Sequence, residues 1–137
     1  MAASPQYATH VISAGVTIST ANTNRDGTTG TYGTAYTFIS ATNKGIGGRI
    51  DAITIKATGT TTAGMVRMFV NNRLIREFAV SAITPSATVK SYEIPTTEGA
   101  DANGRLPLGL VCMPGDILKF STHNAESFEV RVEGGEF

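Results

Sequence analysis

Near its C-terminal end the chain sets Phe128, Val130 and Val132 against Glu129, Arg131 and Glu133 in alternation. Side chains two residues apart share a face only in a β-strand, so one side of this segment is built to be buried and the other to be wet. The same period recurs at Leu106, Leu108, Leu110 and Cys112, and over residues 34–40, where Tyr36 and Phe38 share a face. No segment spaces its apolar residues three and four apart, as an amphipathic helix requires. Threonine and glycine are frequent, and β-branched side chains fit a pleated surface better than a helix. An all-β chain is expected.

Strands are expected at 8–12 and 16–20, after an N-terminal arm of residues 1–8 that contains Pro5 and Tyr7. Residues 21–33 are a polar Thr/Gly/Asn stretch with almost nothing to bury, so they read as a long loop. A glycine-rich turn at 44–48 leads into a strand at 49–58. There Ile50 and Ala52 take one phase and Ile53 and Ile55 the other, which implies a bulge or two buried faces.

Residues 64–80 read as a hairpin about Asn71 and Asn72. A two-residue turn would set Arg67 opposite Arg76; a three-residue loop through Arg73 pairs Arg67 with Glu77 and Val66 with Phe78. Cross-strand charge pairing favours the longer loop, although asparagine also suits the shorter turn. A strand at 88–94 ends at Pro95, and 95–104 form a second polar loop. Pro114 and Gly115 have the order of a type II turn. With the strands at 106–112, 116–121 and 128–133, residues 9–137 read as a single domain of about eight strands. That number, without internal repeats, suits a jelly-roll-like antiparallel β-sandwich.

Charge narrows the function classes. Eleven basic residues balance eleven acidic ones, whereas a nucleic-acid binder needs a basic excess to displace counterions and an anionic membrane asks for the same. No apolar run approaches the roughly 20 residues of a membrane-spanning helix, and residues 1–7 lack the pattern of a secretory signal. The lone Cys112 fits folding in a reducing cytoplasm.

Chemistry is sparse. His10 and His123 lack companions at metal-ligand spacing, and Cys112, in phase with three leucines, reads as an inert buried thiol. Gly45, Gly47 and Gly48 precede a strand instead of the helix start that a phosphate cradle needs. Asp101 and Asn103 read as a turn, lacking the distal glutamate of a calcium loop. No enzyme activity, cofactor, metal or small-molecule substrate is expected.

The second half of the chain carries a resemblance. Ala63-Gly64-Met65-Val66-Arg67-Met68-Phe69-Val70 leads into Leu74-Ile75-Arg76-Glu77 and then Ile83-Thr84-Pro85-Ser86-Ala87-Thr88. Leu106 to Leu110, Pro114-Gly115-Asp116, Ser121-Thr122-His123-Asn124-Ala125-Glu126 and the closing Gly134-Gly135-Glu136-Phe137 complete the pattern. Together these residues resemble short jelly-roll virion proteins of tailed bacteriophages, similar to capsid cement or decoration proteins. The resemblance implies a dimer or trimer on the capsid surface, assembled in the host bacterial cytoplasm, which staples neighbouring major capsid proteins together. A tail or fibre protein that touches the host is the alternative. Contact with partners is expected at Pro5 and Tyr7 in the arm, Arg25 and Tyr32 in the 21–33 loop, and the terminal Phe137.

Overall fold

The computed structural model describes residues 10–137 and forms eight strands. They are β1 (His10–Ile18), β2 (Gly33–Thr37), β3 (Gly48–Ala57), β4 (Gly64–Val70), β5 (Arg73–Val80), β6 (Arg105–Cys112), β7 (Ile117–Thr122) and β8 (Phe128–Glu136). Two four-stranded antiparallel sheets result: sheet A in the order β1-β8-β3-β6, and sheet B in the order β2-β7-β4-β5. The first strand pairs with the eighth, the second with the seventh, the third with the sixth and the fourth with the fifth. The chain is thus one long hairpin folded over on itself, with its tip at Asn71 and Asn72. Only β4 and β5 follow each other within one sheet; every other connection crosses between sheets.

The inward phases of the two sheets meet in a single core. Ile50, Ile53 and Ile55 of β3 and Val130 and Val132 of β8 face Val66 and Met68 of β4 and Leu118 and Phe120 of β7, all buried. Burying an aliphatic or aromatic side chain of this size is worth roughly 1.5–3 kcal/mol. The alternation at Phe128, Val130 and Val132 therefore does what its period implies, with Glu129 and Arg131 left exposed outside.

The phase switch in β3 is a bulge. Its register shifts between Ile50 and Ala52 against both neighbours, so both parts of the strand bury their apolar residues. At the hairpin tip, Arg67 does face Glu77 and Val66 does face Phe78, but through a two-residue turn and not a three-residue loop. Asn71 takes a left-handed backbone, φ 56°, at the first turn position. The pairing is restored by a bulge at the exposed Ile75, between the Phe69–Leu74 and Met68–Arg76 pairs. Turn chemistry and charge pairing are both satisfied, at the cost of one unpaired residue.

Three expected strands, at 8–12, 16–20 and 88–94, take different forms. Residues 10–18 are one uninterrupted strand, because Gly15 pairs with Arg131 in a register that never breaks along β8. Residues 88–94 are not a strand. β6 occupies the flank of β3 as far as Thr54, leaving room for a single bridge between Lys56 and Glu93. The segment instead plugs the side of the sandwich: Tyr92 and Ile94 are buried, and the Tyr92 ring meets Phe128 edge-on at 6.0 Å. The Pro114-Gly115 turn forms, with Gly115 at φ 83° and the Asp116 N–H donating to Met113 O at 3.1 Å. The expected arm, with Pro5 and Tyr7, lies outside the described residues.

Candidate interaction surfaces

The loop between β1 and β2 does have something to bury. It lies on the outer face of sheet B, where Arg67 and Phe69 of β4 point away from the core and are nevertheless 0% exposed. Asn22, itself buried, anchors the loop from within. Its side-chain amide donates to Thr29 O (3.1 Å) and Thr31 O (3.0 Å), and its oxygen accepts the Asn24 N–H at 3.0 Å. Asp26 accepts the N–H groups of Thr28 and Thr29 at 3.0 and 2.9 Å, which holds its carboxyl down at about 2. At Gly27, a Cβ would sit 2.6 Å from the Asn72 backbone, so the loop can close onto the hairpin tip only with glycine there.

Both loop residues expected to meet a partner have partners inside the molecule. Tyr32 packs edge-on against Phe69, ring centroids 5.0 Å apart, and the Lys119 ammonium lies 4.6 Å from its ring centre. Lys119 also donates to Gly27 O at 2.6 Å. Arg25 donates to Glu77 at 3.0 Å, and the other oxygen of Glu77 lies 3.5 Å from Arg67 Nε. Arg67 further donates to Asn22 O (3.3 Å) and to His123 Nδ1 (3.2 Å). A guanidinium only donates, so that imidazole nitrogen is the acceptor and the ring proton sits on Nε2. Burial, followed by the nearby Arg25 charge, lowers the Arg67 pKa from its ordinary value. The two arginines lower that of Glu77, led by the Arg25 hydrogen bond.

The remaining chemistry-bearing residues are individually accounted for. Cys112 is buried and faces inward; burial, with Asp116 nearby, pushes its thiol up to about 11. Asp101 accepts the N–H groups of Asn103 and Arg105 at 2.8 and 3.0 Å, a turn closed by its own carboxylate. Gly47, at φ 90°, belongs to the turn before β3. A groove of about 690 Å³ runs between the end of β5 and the β5–β6 connection. Glu98 and Tyr92 in its wall serve the backbone of β5: Ala79 N–H donates to Glu98 at 3.2 Å, and the Tyr92 hydroxyl donates to Ala79 O at 3.0 Å.

One end of sheet A is different. Val11, Gly135, Arg49 and Val111 lie side by side across all four strands in the outward phase. Val11 is 77% and Val111 76% exposed. In the next outward row, Phe137 N–H donates to Gly47 O at 3.0 Å, and Met113 lies against Gly47 from the other side. Met113 is 68% and Phe137 38% exposed, and Ile46 beside them is exposed as well. Phe137 is held there by its neighbour. The buried Glu136 carboxylate accepts the Tyr36 hydroxyl at 2.6 Å and the Ile39 N–H at 2.7 Å, clamping the end of β8 to sheet B. Burial first, and this hydrogen bond second, push the Tyr36 hydroxyl up to about 12.

Of the expected contact residues within the described part, Phe137 is the one on an open apolar surface, while Arg25 and Tyr32 lie on the other sheet. Val11, Ile46, Val111 and Met113 escaped the sequence reading, although Val111 had a signal: it is apolar in the phase of Pro107 and Gly109, opposite to Leu110 and Cys112. The molecule these features define is a two-sheet antiparallel β-sandwich with a filled core, one sheet roofed by its own loop and the other bare with an apolar end. No family model, curated protein or solved structure matches the chain.

Proposed function

We propose that this chain is a non-enzymatic virion protein of a tailed bacteriophage, a capsid cement or decoration protein that binds the shell of major capsid protein from outside and stabilises it. The observation that carries this reading is one end of sheet A, where the exposed Val11, Ile46, Val111, Met113 and Phe137 are grouped around the exposed Arg49. Several exposed apolar side chains at one end of a small domain favour that end as the place where another protein sits. A shell under internal pressure gains stability from any rigid block that buries surface across its subunit junctions, and this needs geometry and no reactive group. The strand pairing, first with eighth through fourth with fifth, supports reading the sandwich as a jelly roll. That fold agrees with the resemblance of the chain's second half to such proteins.

The test is cosedimentation of the purified chain with mature heads that lack it. Bound protein and a raised temperature of head disruption are expected, and Met113→Asp together with Phe137→Ser abolishes both while leaving the circular dichroism spectrum unchanged. No binding to heads, or attachment to bacterial cells instead, rejects the reading; attachment to cells moves the protein to the tail.

A further inference from the structure

Among the four sheet edges, that of β6 stands apart. β5 has its outward backbone groups at Ala79 taken by Glu98 and Tyr92. β1 and β2 close the opposite side of the sandwich against each other, Gly33 lying on Val16 and Ile18. β2 is five residues long. On β6, the Arg105 backbone is turned outward and capped, its N–H on the Asp101 carboxylate and its carbonyl accepting the Asp101 N–H at 2.9 Å. Beyond that cap, among the described residues, no backbone group from Leu106 to Cys112 makes a backbone hydrogen bond outside the sheet. The stretch Leu106-Pro107-Leu108-Gly109-Leu110-Val111-Cys112 carries no charge, and Leu108 and Leu110 remain half-buried at the edge. Uncovered, uncharged edges of this kind are templates for another strand.

We propose that β6 pairs antiparallel with β6 of a second copy, about a two-fold axis through Gly109, joining the two A sheets into one of eight strands. The strand is complementary to itself in that register. The register to β3 shifts between Pro107 and Leu110, leaving Leu108 and Gly109 without partners there. Arg105 fixes the outward phase before the shift, and Gly47 O, bonded to Phe137 N–H on the β8 side, fixes it beyond, so that Pro107, Gly109 and Val111 share the free side. Gly109 then exchanges two hydrogen bonds with its counterpart. The Val111 N–H of each copy donates to the Pro107 carbonyl of the other, so the missing proline N–H costs only one bond per copy. Leu108 meets Leu110, each covering the other's half-buried flank, and the buried Leu106 and Cys112 fall opposite each other on the core side. Arg105 falls opposite Met113, so no like charges meet. A symmetric contact that uses one patch twice closes at the dimer. A single strand pair makes a small contact, so a reversible monomer–dimer equilibrium is expected in place of an obligate dimer. This inference rests on the edge alone and stands whether or not the protein binds a shell.

Gly109 makes the test clean, because a Cβ there meets nothing within 4 Å and its φ is not in the left-handed region; Gly59, in the β3–β4 turn, shares both properties. Sedimentation equilibrium of the full chain is expected to show a monomer–dimer equilibrium. Gly109→Arg weakens it at least about tenfold with an unchanged thermal midpoint, while Gly59→Arg leaves it as it was. With Cys112→Ser in place, mild oxidation of Gly109→Cys yields a disulfide-linked dimer faster than Gly59→Cys, since paired residues on facing strands lie within disulfide reach. A wild-type monomer with no preferential cross-linking at 109 overturns the proposal, as does a dimer indifferent to Gly109→Arg. A wild-type chain that dimerises but does not bind heads counts against the proposed function and leaves this inference standing.

Discussion

On sheet A, the outer face of β8 leaves Glu129 and Arg131 in water; on sheet B, the outer face of β4 hides Arg67 and Phe69 under a loop. Both strands are central in their sheets, so position does not separate them. What differs is the crossing that precedes β2: its long polar loop turns back over sheet B and fastens to it through side chains. The loop brings little apolar surface of its own beyond Tyr32. It stays because Asn22 and Asp26 tie the loop to itself, and because the sheet offers Lys119 to Gly27 and Tyr32, Arg67 to the Asn22 carbonyl and Glu77 to Arg25. A polar loop can therefore serve as a third layer, provided the hydrogen bonds of its backbone are accounted for.

The sharpest way to break this contrast is to empty the space beneath the roof. Phe69→Ala removes a fully buried ring from the face that ought to be solvent, and a loss of about 4 kcal/mol in urea unfolding is expected. Val111→Ala, on the bare sheet, should change stability by less than about 0.5 kcal/mol. Equal effects at the two positions would mean that the loop does not cover β4 in solution.

The ionic contacts come next. Glu77 neutralises both Arg25 and the buried Arg67, so Glu77→Gln leaves a charge under the roof without its partner. A cost of about 2 kcal/mol is expected, below that of a fully buried pair because Glu77 keeps some contact with water. Arg67→Met removes the buried charge itself and fills much of its volume, so it should shift stability by less than about 1 kcal/mol in either direction. If Arg67→Met proves the more damaging, the guanidinium is holding the loop through Asn22 and His123, and its charge is secondary.

Much of sheet A was legible because alternation reports directly on a face that is wet. Phe128 to Glu133 declared itself, and Ile50, Ala52, Ile53 and Ile55 marked the phase switch in β3, which the strand pairing resolved as a bulge instead of two buried faces. β4 was harder, because Val66, Arg67, Met68 and Phe69 are all buried. Its cover comes from residues some forty positions upstream, whose composition resembles any solvated loop. The Glu136–Tyr36 clamp was invisible for a similar reason, since it joins two segments a hundred residues apart. The misread strand at 88–94 has the right residue types, but it is excluded by occupancy: β6 arrives later in the chain and takes the flank of β3. Sequence period identifies strands well and their neighbours poorly. Among the exposed apolar residues at one end of sheet A, Phe137 is the contact candidate named from the sequence. Val11 and Met113 needed the sheet order to place them beside it.

Asn22 sharpens the comparison at the level of a single side chain. Asn22→Ala removes two donated hydrogen bonds and two accepted ones beneath the loop, and a global loss of about 1 kcal/mol is expected. The larger consequence is local. Amide exchange at residues 24–32 should accelerate well before β4 or β7 lose protection. Uniform acceleration across both sheets would show that the loop is not a separate layer.

The smallest expected effect is a pH dependence confined to the same loop. Asp26 has its carboxyl lowered from 3.8 to about 2 by the Thr28 and Thr29 donors, so its contribution is fully present above pH 3.8 and is lost as pH falls through 2. Asp26→Asn keeps an acceptor oxygen for the two backbone donors but does not titrate. Between pH 5 and pH 2, the wild-type urea midpoint should therefore fall more steeply than that of the variant, and the Thr28 and Thr29 amides should lose protection over the same interval. Parallel pH profiles for the two proteins would mean that the carboxylate sits free in water. In that case the order of the loop rests on Asn22 and Tyr32 alone.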